Sequence, residues 1–206
     1  MDTLDTTIQK VFPLLAAPSQ TTLSEAQACG MRYIATSKGL MREISLPWIR
    51  IVHTVARSVV NLTYGELRQS CELLCSRVPK GMWKQLRQDA VAAMPNEMAA
   101  VLVWNEVTDM WRYALRNLSF ASRAALNYER FQLEEGEHIV VDLHSHGDMH
   151  AFFSAQDNQD DRDSMRFSGV IGRVTTNSPE FVLRLSMPGV RWNAALTADG
   201  VMEVEI

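Results

Sequence analysis

Apolar residues recur at three- and four-residue steps along 47–59, through Ile49, Val52, Val55, Ala56 and Val59. That period points to a helix in spite of the β-branched content. A clearer helical period runs over 67–77, through Leu67, Cys71, Leu74 and Cys75. Ahead of these, 31–35 reads as a short strand, Ser37-Lys38-Gly39 as a turn and 40–45 as the returning strand. Pro79-Lys80-Gly81 is a breaker cluster. After it, 82–94 forms an amphipathic pattern with Trp83, Leu86, Ala90 and Ala93 on one side of a helix. Pro95-Asn96 ends that helix, and the compact apolar run 98–104 reads as a buried strand. Further strands are expected at 112–118, 138–143, 169–174 and 181–186, with 201–206 at an edge.

Helices followed by strands and then more strands indicate an α/β domain whose mixed β-sheet is flanked by helices. The pattern starts that domain near residue 78. The expected division is therefore 78–206 for the domain and 1–77 for an N-terminal α+β extension or subdomain. With 206 residues, 47% hydrophobic and 21% charged, a core of ordinary size is available.

Charge and cysteine usage narrow the partners. The net charge of −4 and the scattered arginines give no basic footprint for nucleic acid, which leaves protein or small-molecule partners. Cys29, Cys71 and Cys75 lack the spacing of a disulfide framework and fit a reducing compartment. Cys71 and Cys75 read as small buried apolar residues rather than metal ligands. The start MDTLDTTIQK has acids where a secretory signal needs bases, and no run of about 18 apolar residues offers a membrane span. A cytoplasmic protein with no membrane partner is the expectation.

The segment VVDLHSHGDMHAFFSAQDNQDD carries the chemistry. Its first four residues lead in as a strand, and His144 and His146 follow at i and i+2. On an extended chain those two imidazoles share a face. Gly147 lets the following loop turn away, so that Asp157 can return a carboxylate. Two nitrogens and one oxygen leave a fourth tetrahedral position, the arrangement of a catalytic rather than a structural zinc. Such a site also needs a carboxylate that does not bind the metal, to move protons. Glu97, between the helix-ending Pro95-Asn96 and the apolar run, is that candidate; poor solvation there pushes its pKa toward the working range.

In Glu97, then His144-Ser145-His146, then Ser154-Ala155-Gln156-Asp157 after a seven-residue spacer, the chain resembles the JAB/MPN (JAMM) metallopeptidases. The resemblance covers roughly 78 to the C-terminus. With its long N-terminal part included, the chain looks like the A proteins of the PRTRC plasmid-associated gene system. The resemblance implies a JAB/MPN-like fold and one Zn2+ per chain, held by His144, His146 and Asp157. It implies Glu97 as general base and acid, and Ser154 as a stabiliser of the oxyanion. It implies hydrolysis of peptide or isopeptide bonds, with a ubiquitin-like protein or its conjugates as substrate. A ubiquitin-activating-type enzyme from the same gene cluster is a further partner it suggests. One departure stands out: many members carry Pro after the second His, where this chain has Gly147. The alternatives are a non-catalytic JAB-fold scaffold and a zinc hydrolase of small-molecule amides.

Blander readings compete at single positions. Ser154 and Asp157 also have the spacing of a helix cap. Glu106 is the rival base, expected at the far end of the strand. His150 falls inside the spacer and is expected in the loop. Asp160 to Asp163 read as a solvated charge run, and Trp104, Trp111 and Trp192 as core or sheet-packing residues.

Overall fold

The computed structural model describes residues 2–121, 126–129, 131–197 and 199–206, and of 118–121 and 126–128 the backbone only. The chain forms two units, Met1–Cys75 together with Ile206, and Ser76–Glu205. None of the helices among the described residues is long and apolar enough to cross a membrane.

The first unit opens with α1 (Thr3–Val11), whose N-terminus is capped by the Asp2 side chain accepting from the Asp5 amide at 2.8 Å. Five strands follow: β1 (Leu14–Ala16), β2 (Gly30–Thr36), β3 (Gly39–Leu46), β4 (Ile49–Arg57) and β5 (Ser70–Leu73). They form one sheet in chain order, with β1 parallel to β2 and the remaining pairs antiparallel. The turn at Ser37-Lys38 and the returning strand lie where the sequence puts them. The helices expected over 47–59 and 67–77 are instead β4 and β5.

The physical reason is double-sided burial. Ile49, Ile51, Val52 and His53 are all buried, on successive and therefore opposite faces of β4. A strand covered on both sides loses its two-residue alternation, and its apolar run then imitates a helical period. Its β-branched residues favour the extended form. Leu46 stands opposite Ile49, so Pro47-Trp48 is a hairpin turn rather than a helix start. Cys71 lies on β5 opposite Ile51, and burial pushes its thiol up to about 11, which removes it as a nucleophile or ready ligand.

The second unit begins with α2 (Lys80–Ala93), which buries Leu86 and Ala90. Its strands are β6 (Ala99–Asn105), β7 (Met110–Leu115), β8 (Leu118–Ala121), β9 (Leu126–Tyr128) and β10 (Glu137–Ser145). The short helix α3 (Ala155–Asp160) precedes β11 (Arg166–Gly172), β12 (Glu180–Met187), β13 (Val190–Leu196) and β14 (Met202–Val204). Seven of the strands form a mixed sheet in the order β14-β13-β12-β11-β10-β6-β7, in which only β10 and β11 run parallel. β8 and β9 pair as a separate hairpin. Helix α2 packs with Trp83 edge-on to Phe181 of β12 at 5.7 Å, and Arg87 donates to the carbonyls of Val174 and Thr176. The fold class is the mixed α/β arrangement that the pattern predicts.

The core lies on the central strands. Val101, Leu102 and Val103 of β6, Val140, Val141 and Leu143 of β10, and Phe167 and Val170 of β11 are almost wholly buried. The edge strand expected at 201–206 is β14. β13 escaped the sequence reading because its alternation rests on only half-buried residues and includes the weak strand formers Asn193, Ala194 and Ala195.

Candidate metal centre

Antiparallel pairing of β6 with β10 brings the start of one strand beside the end of the other. Ala99 stands opposite His144, so Glu97, two residues before Ala99, arrives next to the histidine pair. On its other side β10 pairs with β11, and the His146 amide donates to the Ile171 carbonyl at 2.8 Å. The two histidines are thus fixed where β6, β10 and β11 lie side by side. Glu106, at the opposite end of β6, faces His138 at 3.3 Å and is remote from this cluster.

The structure brings together one ligand atom each from His144, His146 and Asp157, all within 4.8 Å of one another. The His144 and His146 Nε2 atoms are 3.2 Å apart, and His144 Nε2 is 3.5 Å from Asp157 Oδ1. The His146 Nδ1–H donates to the His150 carbonyl at 3.1 Å. A carbonyl only accepts, so Nδ1 is the donor there and Nε2 is the nitrogen turned toward His144. Burial lowers the His144 pKa, partly offset by the Asp157 charge, so that ring is neutral at pH 7. The donor set suits a metal ion: two imidazoles and one carboxylate.

Ser154 is the N-cap of α3. Its hydroxyl accepts from the Asp157 amide at 3.2 Å, and Asp157 Oδ2 accepts from the Ser154 amide at 2.6 Å. The capping reading and the ligand reading therefore coexist: one Asp157 oxygen closes the helix start, the other faces His144. The Ser154 hydroxyl hydrogen stays free to donate elsewhere.

Glu97 is 7% exposed. Burial, reinforced by the Asp157 charge, raises its pKa to about 7. Its place is fixed by Ser145, the residue between the two histidines. The Ser145 hydroxyl accepts from the Met98 amide at 3.0 Å, and the Ser145 amide donates to the Met98 carbonyl at 3.0 Å. Ser145 is fully buried and was not singled out by the sequence, where its place inside His-x-His was the only signal.

The loop after β10 is docked rather than loose. Gly147 has φ +56, a conformation closed to proline, which holds φ near −65°. An added Cβ there would also meet Met94 Sδ at 2.8 Å. Glycine at this position is thus a matched choice, not a slackened proline. Gly172 admits the loop from below, since a side chain there would collide with the backbone of Met149, His150 and Ala151. His150 is in the loop, as its position in the spacer implies, and contributes its carbonyl rather than its ring. Glu180 on β12 holds that stretch, accepting from the Ala151 amide at 3.1 Å and from His150 Nδ1 at 3.0 Å. Arg173 donates to His150 Nε2 at 2.6 Å and pairs with Glu180 at 3.1 Å.

Glu180 is therefore expected to act on the candidate metal ligands through the loop. Glu180→Gln keeps one acceptor but loses the charge that anchors His150, and with it the fixed carbonyl behind His146. Metal affinity should fall ~10–100-fold, the usual cost of losing a partner behind a ligand. Competition against a chromophoric chelator measures it, and an unchanged dissociation constant would show that the loop holds without Glu180.

The charge run departs from expectation at one residue. Asp161 is buried and receives Arg184 Nε at 3.0 Å and Nη2 at 2.7 Å. α3 turns its C-terminal end onto the sheet, which carries Asp161 inward to β12. Trp104 and Trp111 are buried packing residues whose indole N–H groups bond Asp109 and Ser76.

Residues 79–186 match the family of prokaryotic homologs of the JAB domain. Residues 2–74 match a domain of unknown function (DUF2016). Among curated proteins, none matches.

Proposed function

The chain belongs to the prokaryotic homologs of the JAB domain, and from that membership we propose that it is a zinc-dependent hydrolase of peptide or isopeptide bonds. The observation that carries the reading is the convergence of His144, His146 and Asp157 beside the buried Glu97. Ligand atoms about 2.0–2.1 Å from a tetrahedral zinc stand about 3.3 Å from one another. The separations of 3.2 Å and 3.5 Å around His144 Nε2 fit that spacing. His144 and His146 through Nε2 and Asp157 through Oδ1 are the ligands we assign.

When bound, zinc supplies Lewis-acid polarisation of the scissile carbonyl and acidifies water. Glu97 takes a proton on its carboxylate and delivers it to the leaving amine. Ser154 directs its free hydroxyl hydrogen at the carbonyl oxygen as charge develops there. The capping box keeps Ser154 and Asp157 in register with each other.

The substrate we assign is the C-terminal tail of a ubiquitin-like protein, extended by further residues or linked to a lysine. A flexible tail reaches a site at a strand end more easily than a folded segment does. β10 has both neighbours filled, so the tail cannot pair with it. The sheet edge on the Glu97 side is β7, two strands away at about 4.8 Å per strand, and that is the edge we assign to main-chain pairing. The fuller resemblance, to the A proteins of the PRTRC system, belongs to the same proposal. So does a ubiquitin-activating-type enzyme as a companion.

The test is to incubate zinc-loaded protein with a reporter fused behind the ubiquitin-like protein encoded nearest to its gene, and to map the cut by mass spectrometry. Cleavage directly after the tail is expected, with kcat/KM falling when the folded head is removed. Binding without cleavage would favour the scaffold reading, and equal cleavage of a headless peptide would remove the ubiquitin-like head from the substrate class.

A further inference from the structure

The six-residue helix α3 carries the third candidate ligand, Asp157, yet none of its own residues is buried. Helix α2, by contrast, is anchored through the buried Leu86 and Ala90. What α3 sends into the protein is Asp161, the residue that closes its C-terminal end and is 4% exposed. The Asp161 amide donates to the Asp157 carbonyl one turn back at 3.0 Å, so holding Asp161 also places Asp157.

The sheet face that receives Asp161 is charged. Register sets Asp142 beside Ser168 and His144 beside Val170, and Ser168 in turn beside Arg184. Neighbours in register point to the same side, as do residues two apart on one strand. Asp142, His144, Arg166 and Arg184 therefore share one face. Across it runs an unbroken series of ion pairs: Arg116 to Asp142 at 2.8 Å, Asp142 to Arg166 at 3.2 Å, Arg166 to Asp161 at 3.8 Å, and Asp161 to Arg184 at 2.7 Å. Asp142 precedes His144 by one side-chain repeat on β10, and Asp161 follows Asp157 by one turn of α3. Arg166 pairs with both. Its Nε is buried with no hydrogen-bond partner among the described residues, so among these the two carboxylates are what holds the guanidinium.

We propose, on the zinc reading of His144, His146 and Asp157, that Arg166 is a positioning residue for the metal centre, which sets the distance between β10 and α3 by binding a carboxylate of each. The two carboxylates do not depend on Arg166 for their charge balance. Asp142 has both oxygens on Arg116, and Asp161 has Oδ2 on two nitrogens of Arg184. Removing Arg166 thus leaves neither of them unpaired, which separates its role from that of Arg184. Ion pairs of this kind add little net stability over apolar side chains of the same size, but they hold two elements in one arrangement. The arrangement at stake is the one that puts Asp157 Oδ1 at 3.5 Å from His144 Nε2.

The experiment titrates the metal-free full chain with Co2+, whose visible absorption is intense in a tetrahedral site and faint in an octahedral one. The parent chain is expected to give the intense spectrum. In Arg166→Met the affinity for Co2+ should fall ~10-fold, the lower end of what a partner behind a ligand is worth, because Arg166 acts one step further back. The band should weaken as Asp157 leaves the coordination sphere, while the thermal midpoint of the metal-free protein stays close to that of the parent. Arg166→Lys keeps a cation in place and should recover most of the affinity and the band. Parent-like affinity and spectrum in Arg166→Met would overturn the proposal. A lysine variant no better than the methionine one would overturn the charge bridge. An Arg166→Met chain that is unfolded, or melts well below the parent, would overturn the proposal in favour of a purely stabilising role. A folded parent chain that takes up no Co2+ would instead sink the zinc reading, and this positioning role with it.

Discussion

In the Glu97→Gln variant, turnover falls ~10²–10⁴-fold while metal content and fold stay as in the parent chain. The amide has the size of the carboxylate and cannot accept a proton, so the shuttle is lost and little else changes. Glu97 contributes no atom to the His144, His146 and Asp157 cluster, which is why the metal should stay. The same substitution has a second, opposite signature in metal-free protein. There the Glu97 pKa is raised from 4.5 to about 7 by burial and the Asp157 charge. Between those values the unfolded chain releases a proton that the folded chain keeps, so stability falls as pH rises through that window. Glu97→Gln removes this slope, and the metal-free variant should be the more stable form at pH 7. His144 works the other way, its lowered pKa adding stability above its ordinary value, but it is common to both proteins and cancels in the difference. A cation at the cluster pulls the Glu97 pKa down again, favouring the proton-accepting form. Steady-state kinetics and metal-free melting across pH read the two effects. A variant with near-normal kcat would take the shuttle away from Glu97.

The largest stability effect is expected at Arg184, behind the site. Its guanidinium is buried against the equally buried Asp161, lies 3.8 Å over the Phe153 ring, and donates to the Asp157 carbonyl at 3.0 Å and to Asn158 Oδ1 at 2.6 Å. Arg184→Met leaves Asp161 charged and buried, with Arg166 at 3.8 Å as its remaining ion-pair partner. Breaking a buried pair from one side costs ~3–5 kcal/mol, and the residual Arg166 contact puts the value toward the lower end. Adding Asp161→Asn should return part of the loss, since the uncompensated charge is what costs most. Because the same guanidinium holds α3 at Asp157, metal affinity should fall alongside stability. Denaturant unfolding of the single and double variants measures the first, and an unchanged midpoint for Arg184→Met would show that α3 is held by other contacts.

What could be read in the sequence follows from what each contact needs. His144, His146 and Asp157 must be those residue types in that order, so the candidate centre was visible as a local motif. Glu97 was visible because a helix breaker and an apolar run bracket it, a pattern that burial of β6 explains. The supports were not. His146 is oriented by the backbone carbonyl of His150, which any residue could provide. Glu180 and Arg184 act from β12, 30 residues from His150 and 23 from Asp161, and no local spacing links them. Asp161 sat in an acidic run that gave no hint of which residue turns inward. β4 was misread for a related reason: burial on both faces erased the alternation that separates strand from helix.

The assignment of His144, His146 and Asp157 as zinc ligands is tested most directly by the metal content of protein purified without added metal, compared between the parent chain and the His144→Ala/His146→Ala double variant by elemental analysis. Close to one zinc per chain is expected in the parent and a loss of nearly all of it in the variant, with both folded by circular dichroism. Zinc at the same stoichiometry in the folded double variant, or a folded parent chain that binds none when zinc is supplied, would contradict it.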